Sequence, residues 1–228
     1  MQNSLKRVDA HLSSLGYCTR SEAKKFLKTY TVCVDNERTF DVTKKTYHSQ
    51  ISVDGEILDP EKLVIIMNKP HGVVCSHSDS GVLIYSLLPL RFQRRNPKIS
   101  TIGRLDMDTT GAILLSDDGA LNHKLTSPKS EVTKIYEVTL AQPLRGDEAE
   151  IFASGELLLN GEKKPLLPAK MEIITPLHVR IEICEGRYHQ VKRMFGSVGN
   201  RVISLHRVSF GDFSVEGLKP SEYREVSI

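Results

Sequence analysis

In the first part of the chain, hydrophobic residues follow two helical patterns and then short extended patterns. Apolar positions of the first pattern lie at helical spacing: Leu5, Val8, Leu12 and Leu15. The pattern stops at Gly16, a residue type that commonly ends helices, and Thr19 and Glu22 then have the spacing of a capping box, which predicts a second helix. Short β-like stretches follow at 31–34 and 51–55. Residues 1–58 therefore predict a small module of two helices followed by strands.

The pattern changes after residue 58. Strands are predicted at 63–67, 111–115, 136–140 and 178–183, a hairpin at 157–161, a helix at 188–198 and mostly strands from 201 onwards. Regular βαβ units are absent from this pattern, which disfavours a doubly wound sheet. The expected fold class is α+β, with a large mixed, mostly antiparallel sheet and flanking helices in a second domain at 59–228.

Composition restricts the class of protein. With 39% hydrophobic and 26% charged residues, the chain is typical of a globular protein. A net charge of +3 is too small for nonspecific polybasic binding, so any nucleic-acid role depends on where the charges lie. The four cysteines form no CxxC pair, which disfavours a disulfide framework or a thiolate zinc site.

The N-terminus does not resemble a signal peptide, and no stretch approaches the ~20 apolar residues of a membrane span. We expect a cytoplasmic protein that does not associate with membranes.

The segment 103–111 contains two carboxylates close together. Asp106 and Asp108 lie in a glycine-bounded loop that leads into a predicted strand. Its DxDxT pattern is also found in phosphoaspartate phosphatases. That chemistry needs the motif after an apolar strand, and residues 99–103 are too polar.

A calcium loop is a second alternative for the same segment. Its ninth ligand position would be Leu114 and its last Asp117, and neither residue suits a calcium loop at that position. A solvated turn is the plain structural alternative.

Four motifs follow one another in the second part of the chain. They are Asn68-Lys69-Pro70-x-Gly72, Gly103-Arg104-Leu105-Asp106-x-x-Thr109-x-Gly111, Lys134-Ile135-Tyr136-Glu137-Val138 and Glu185-Gly186-Arg187-Tyr188-His189-Gln190-Val191-Lys192-Arg193-Met194-Phe195, continued by Leu205-His206-Arg207. Together they resemble the motifs of RNA pseudouridine synthases, and within them the RsuA-like family, which modifies ribosomal RNA. The sequence of residues 188–194 most resembles the branch of this family that acts on small-subunit rRNA.

The first module resembles an S4 RNA-binding domain, which precedes the catalytic domain in this family. The resemblance is carried by Arg7-x-Asp9, Gly16, Thr19-Arg20-Ser21-x-x-Ala23 and Val32-x-Val34. The usual Val-Asn-Gly turn is replaced by Val34-Asp35-Asn36, and 35–50 is unusually polar, which leaves the RNA contacts of this module open.

The resemblance implies one essential aspartate, Asp106, that attacks the sugar or the base or assists proton removal from the sugar. A buried carboxylate needs a cationic partner to remain charged, and Lys192 matches the basic position of the family's last motif. Arg193 points about a hundred degrees away on a helix and cannot face the same pocket. Tyr136 matches the active-site tyrosine, which can stack on the target base and assist proton transfer.

The remaining implied residues contact RNA. Arg104 would contact the backbone or fill the space left by the extruded base, and Leu105 and Thr109 belong to the same motif. His189 is interpreted as structural or RNA-facing. Basic candidates for RNA binding are Arg7, Arg20, Lys24, Lys25 and Arg193, together with a cluster at Arg91, Arg94, Arg95 and Lys98 that is equally consistent with a solvated surface.

The expected function is the site-specific isomerisation of one uridine of 16S rRNA to pseudouridine. No motif for a cofactor or metal is present, and we expect neither; the expected partner is rRNA, free or in a pre-ribosomal particle, and the expected state is a monomer. The alternatives are a 23S rRNA pseudouridine synthase of the same family and a non-catalytic rRNA-binding or ribosome-assembly protein.

Overall fold

The computed structural model describes residues 4–127 and 130–227. The helices are α1 (Val8–Ser14), α2 (Ala23–Thr29), α3 (Leu90–Gln93), α4 (Gly119–Thr126), α5 (Glu148–Ala153) and α6 (Gln190–Ser197), with short 3-10 helices at His48–Gln50 and Ile84–Leu87. The strands are β1 (Lys6–Arg7), β2 (Val32–Val34), β3 (Glu37–Arg38), β4 (Lys45–Thr46), β5 (Ile51–Val53), β6 (Glu56–Ile57), β7 (Val64–Lys69), β8 (Val73–Val74), β9 (Val82–Leu83), β10 (Ser100–Ile102), β11 (Thr109–Ser116), β12 (Lys134–Leu140), β13 (Lys170–Thr175), β14 (His178–Ile183), β15 (Val202–Phe210), β16 (Phe213–Ser214) and β17 (Tyr223–Glu225).

The described residues form two compact units. The first contains the chain up to residue 64 together with 85–100 and 116–119, and the second contains 65–84, 101–115 and the chain from 120 onwards. The predicted division at residues 58 and 59 concerns binding and catalytic domains and stays a prediction. Packing assigns two later segments to the N-terminal unit.

The first unit packs α1 and α2 against the sheet β3-β2-β5-β6. Its core consists of Val8, Leu12, Leu15, Cys18, Ala23, Leu27, Val32, Val34, Val42, Ile51 and Leu58. The predicted capping box is present, because the Thr19 amide donates to the Glu22 carboxylate at 3.0 Å and the Glu22 amide donates to the Thr19 hydroxyl at 3.3 Å. The first helix begins at Val8, and the prediction that Leu5 belongs to it is wrong. The intervening strand β1 pairs with β4, which leaves Leu5 exposed.

The second unit is built on a sheet of nine strands within the described residues. Seven follow the order β13-β14-β12-β15-β11-β7-β17, and β10 and β16 pair with β11 and β15. The pair β11–β15 is parallel, whereas β12–β14, β12–β15, β13–β14, β15–β16 and β7–β17 are antiparallel. The predicted fold class, with its mostly antiparallel mixed sheet, is confirmed.

A glycine permits the central parallel pair. Gly111 has φ +102, and a Cβ added there would collide with the carbonyl of Arg207, its register partner on β15. A side chain at 111 would therefore separate the two strands beside the loop that carries Asp106 and Asp108.

The predicted hairpin at 157–161 is only partly correct. The turn at 160–161 is present, but no strand forms on either side of it. Arginine side chains take carbonyls that a partner strand would use: Arg187 binds those of Lys164 and Pro165, and Arg193 binds that of Asn160. Nearby prolines also lack the N–H that a ladder needs. Across the described part of the chain, no helix is long and apolar enough to cross a membrane.

Candidate active site

A buried lysine holds the backbone of the motif at 103–111. Lys69 has no exposed surface, and its ammonium donates to the carbonyls of Thr109 at 2.8 Å, Pro70 at 3.1 Å and Met107 at 3.3 Å. Burial lowers the pKa of Lys69. The amide of Gly72 also donates to the Met107 carbonyl, at 2.8 Å. The turn that carries the two carboxylates is therefore fixed to the end of β7.

Asp106 lies in this turn between β10 and β11. The Thr109 amide donates to the Asp106 carbonyl at 3.1 Å, which closes the turn and starts the strand. The Thr109 hydroxyl is buried and has no hydrogen-bond partner in the part of the chain that the structure describes. The Asp106 side chain is 29% exposed, so its carboxylate is half-buried.

Helix α6 brings a cation to both carboxylates. The Lys192 ammonium lies 2.9 Å from Asp106 Oδ2 and 2.6 Å from Asp108 Oδ1. The hydrogen bond from Lys192 lowers the pKa of Asp108. Burial alone would lower the pKa of Lys192, but its bonds to Asp108 and Asp106 outweigh burial, and the pKa is raised. The pairing of Lys192 with Asp106, which the sequence suggested, is thus present in the geometry.

The second oxygen of Asp106 has a different partner. His189 Nε2 lies 3.3 Å from Asp106 Oδ1. His189 immediately precedes α6 and has a left-handed backbone with φ +48. Sequence reasoning did not place this histidine at the carboxylate, because its contact depends on that backbone turn.

A cavity of about 460 Å³ opens beside these groups, within the size range of small-ligand sites. Its lining includes Asp106, His189, Tyr136, Arg104 and Arg207. Tyr136 is 8% exposed, and the Arg207 guanidinium lies 6.0 Å from the centre of its ring. The predicted residues Leu105 and Thr109 also line the cavity, with Leu105 largely buried.

Arg193 faces away from the carboxylates, as helical geometry predicts. Its guanidinium binds Glu162 at 2.8 Å and the carbonyls of Asn160 at 2.6 Å and Tyr188 at 3.1 Å. These bonds hold the start of α6 against the turn at 160–162. The predicted RNA contact of Arg193 stays a prediction.

The basic candidates of the first unit lie on its surface. Arg20, Lys24 and Lys25 are exposed on and before α2. Arg7 is also exposed but binds Asp9 at 2.6 Å. The first three therefore have side chains directed to solvent, whereas Arg7 also supports α1.

Two of the four basic residues at 91–98 form ion pairs within the first unit. Arg95 is fully buried, and its Nε donates to Asp117 at 2.6 Å. Arg91 binds Asp59 at 2.7 Å and lies over the ring of Tyr17. Among the four residues of the cluster, Arg94 and Lys98 remain exposed without such an ion pair among those found in the described residues.

The calcium-loop alternative is wrong. Leu114 is buried in the sheet, and Asp117 is engaged by Arg95, so neither is available as a ligand. The phosphatase alternative would need the Asp106 carboxylate for a metal and as the nucleophile and the Asp108 side chain as the acid or base, but both carboxylates are bound to the Lys192 ammonium. In the described residues, no group of three His, Cys, Asp or Glu side chains is placed to hold a metal ion.

Comparison with known proteins gives a consistent result. Residues 63–197 match the family model described as RNA pseudouridylate synthase. The ribosomal small subunit pseudouridine synthase A of Vibrio cholerae is 41% identical, with 96% of this chain and 94% of the relative covered. The protein of the same name from Haemophilus influenzae is 39% identical, with 97% and 96% covered. A crystal structure described as pseudouridylate synthase superposes with a TM-score of 0.67 at 39% identity, covering 97% of this chain and 96% of that one. A family model that spans more than half of the chain, and relatives alike over nearly its whole length, show that the chain belongs to the RNA pseudouridylate synthase family.

Proposed function

We propose that this chain converts one uridine of the small-subunit ribosomal RNA to pseudouridine, with Asp106 as the carboxylate that acts on the nucleotide. The observation that carries the proposal is the pairing of this carboxylate. Lys192 contacts one of its oxygens at 2.9 Å and His189 the other at 3.3 Å. A neighbouring cation favours the ionised form of a carboxylate, and two contacts fix its direction.

The bond changes of the proposed reaction require no redox group or co-reactant besides the carboxylate. The N1–C1′ bond of uridine breaks, the base turns, and a C5–C1′ bond forms; C5 loses its proton and N1 gains one. The isomerisation is redox-neutral and balanced without a co-reactant, so we propose that it uses neither cofactor nor metal. The proposal covers three routes, in which Asp106 attacks the sugar, attacks the base or assists proton removal from the sugar.

The cavity residues have complementary roles in the proposal. Tyr136 is largely buried in the lining, and its ring provides a flat apolar surface for the uracil base. Arg104 is exposed on the approach to Asp106, where it can contact a phosphate or fill the gap in the RNA stack. Leu105 and Thr109 shape the wall of the cavity beside the carboxylate.

The choice of substrate is supported by the relatives. Those from Vibrio cholerae and Haemophilus influenzae are named ribosomal small subunit pseudouridine synthase A and align over nearly the whole chain. We propose 16S rRNA as the substrate, and 23S rRNA is the alternative within the same family.

RNA affinity is assigned in part to the first unit, as an S4-like domain. Its support is the exposed basic surface of Arg20, Lys24 and Lys25. Asp106, His189 and Tyr136 line one cavity and Lys192 pairs with Asp106, all within one chain, so a monomer is sufficient for the proposed site. Ribosomal RNA also implies action in the cytoplasm.

The test compares two neighbouring carboxylates that share one lysine. Purified wild type, Asp106→Asn and Asp108→Asn are incubated with 16S and 23S transcripts and with small-subunit particles, and pseudouridine is mapped by carbodiimide-dependent primer extension. We expect one modified uridine in 16S rRNA, no product with Asp106→Asn, and a reduced but measurable rate with Asp108→Asn. Filter binding should show RNA affinity retained in both variants. A normal rate for Asp106→Asn would refute its role. Binding of rRNA by the wild type without any pseudouridine would favour the non-catalytic alternative.

A further inference from the structure

An exposed aromatic ring continues the active site outwards. Tyr188 is 73% exposed and stacks on the ring of His189, with centroids 3.8 Å apart and ring planes 18° from parallel. His189 in turn contacts Asp106. Two stacked rings therefore extend from the carboxylate to the protein surface.

The backbone produces this arrangement at a conformational cost. His189 has φ +48 and ψ 34, a left-handed conformation that non-glycine residues rarely adopt. It occurs at the junction where the chain enters α6, and successive side chains there stack instead of diverging. Strain of this kind at a site edge, held by its surroundings, points to a functional constraint.

The surroundings hold the pair firmly. The Tyr188 carbonyl accepts a bond from Arg193 at 3.1 Å, and the His189 carbonyl accepts one from the Arg193 amide at 2.9 Å. The Gln190 side chain accepts a bond from the Arg187 amide at 2.9 Å. Because the backbone is fixed in this way, the Tyr188 ring is largely pre-organised and loses little freedom when something binds to it.

We infer that Tyr188 is a stacking surface for a nucleobase next to the target uridine, an inference that rests on the proposed function. When a uridine leaves the RNA stack to reach Asp106, its neighbour loses a stacking partner. The flat, exposed ring of Tyr188 lies next to His189, which contacts Asp106, and can replace the lost stacking partner. The aromatic face accepts any of the four bases, so its contribution is to affinity and position rather than to sequence recognition.

The test uses Tyr188→Ala with Tyr188→Phe as the matched control, which keeps the ring and removes only the hydroxyl. Stacking contributions measured by alanine substitution predict that Tyr188→Ala raises Kd and KM for a short RNA substrate about five- to 140-fold. Tyr188→Phe should remain within about twofold of the wild type. At saturating RNA, the single-turnover rate of Tyr188→Ala should be close to that of the wild type. Its melting midpoint should not change, because the side chain is exposed.

A second measurement identifies the base. Substrates carry an abasic site at each position flanking the target in turn. At one position, base removal should weaken binding of the wild type and of Tyr188→Phe but not of Tyr188→Ala. Equal affinity of Tyr188→Ala and wild type, or losses that simply add at every flanking position, would overturn the inference. Neither result affects the proposed function, which is tested separately by pseudouridine formation in the wild type and in Asp106→Asn.

Discussion

Removing the charge of Asp117 should strongly destabilise the chain. Asp117 Oδ2 accepts a bond from Arg95 Nε at 2.6 Å, and Oδ1 accepts one from the Leu63 amide at 2.8 Å. The two charged side chains are 3% and 0% exposed. Asp117→Asn retains an oxygen for the Leu63 amide but turns an N–H donor towards the Arg95 donor. The arginine is then a buried cation without a counter-charge.

The expected size follows from that burial. Breaking a buried ion pair by removing one partner costs about 3–5 kcal/mol. Arg95 keeps bonds to the carbonyls of Pro60 at 2.6 Å and Glu61 at 3.3 Å, and its Nη1 has no hydrogen-bond partner among the described residues, so the contacts found there do not replace the lost negative charge. For a chain of this length, the melting midpoint should fall by roughly 6–20 °C.

The assay is thermal and urea unfolding of wild type, Asp117→Asn and a surface control. In the control, Asp147→Asn, the pair with Arg145 is more than half exposed on both sides, so the expected change is below about 1 kcal/mol. The double variant Arg95→Leu with Asp117→Leu should be more stable than either single charge removal, because no unpaired charge stays buried. If Asp117→Asn lowers the midpoint no more than Asp147→Asn does, the argument from burial is refuted.

The remaining predictions concern the site and RNA binding. Lys192→Met removes charge-assisted bonds worth about 1.5–3 kcal/mol each, so the single-turnover rate should fall about 10- to 150-fold with RNA affinity retained, and an unchanged rate would contradict the role of the ion pair. Lys192 lowers the pKa of Asp108, so the stability of this pair is fully present above the ordinary aspartate value of about 3.9 and is lost as the pH falls through the lowered native value. The stability difference between wild type and Asp108→Asn in urea should therefore shrink below that range, and a difference independent of pH would refute the linkage. Lys24→Glu combined with Lys25→Glu should weaken RNA binding and reduce its dependence on salt without changing the melting midpoint, since both side chains are exposed; unchanged affinity across a salt titration would remove this surface from the binding model. Activity should survive exhaustive EDTA treatment, whereas its loss, restored by added metal, would revive a metal role.

The elements that sequence predicts correctly are those whose pattern is local. Strand β7 is a continuous apolar run, and α6 follows from a short amphipathic segment; both lie within two residues of the predicted bounds. The predicted hairpin at 157–161 differs because its carbonyls are taken by arginines more than 20 positions later. Long-range side-chain bonds of this kind leave no periodic signal in the sequence.

The same distinction applies to the site. Motif order located Asp106, Tyr136 and Lys192, but sequence treated Asp108 only as part of possible phosphatase or calcium motifs. Its bond to Lys192 joins residues 84 positions apart, and the contact of His189 depends on a positive φ at a non-glycine residue. Neither can be inferred from spacing along the chain. The basic run at 91–98 shows the same limit for burial. Arg94 and Arg95 are adjacent in the sequence, but Arg94 is exposed and Arg95 is buried.

Two lysines act on the catalytic turn, and their environments fit them for different tasks. Within the described residues, the Lys69 ammonium donates to three backbone carbonyls and burial lowers its pKa, so its bonds fix the backbone of the turn. Lys192 binds the carboxylates of Asp106 and Asp108, and these bonds outweigh its partial burial, so the pKa of Lys192 is raised. In the proposed function, the Asp106 carboxylate must point at the nucleotide while the base turns, which requires a fixed backbone as well as a held side chain. In that proposal, Asp108, with its own bond to Lys192, keeps the lysine paired when Asp106 engages the nucleotide.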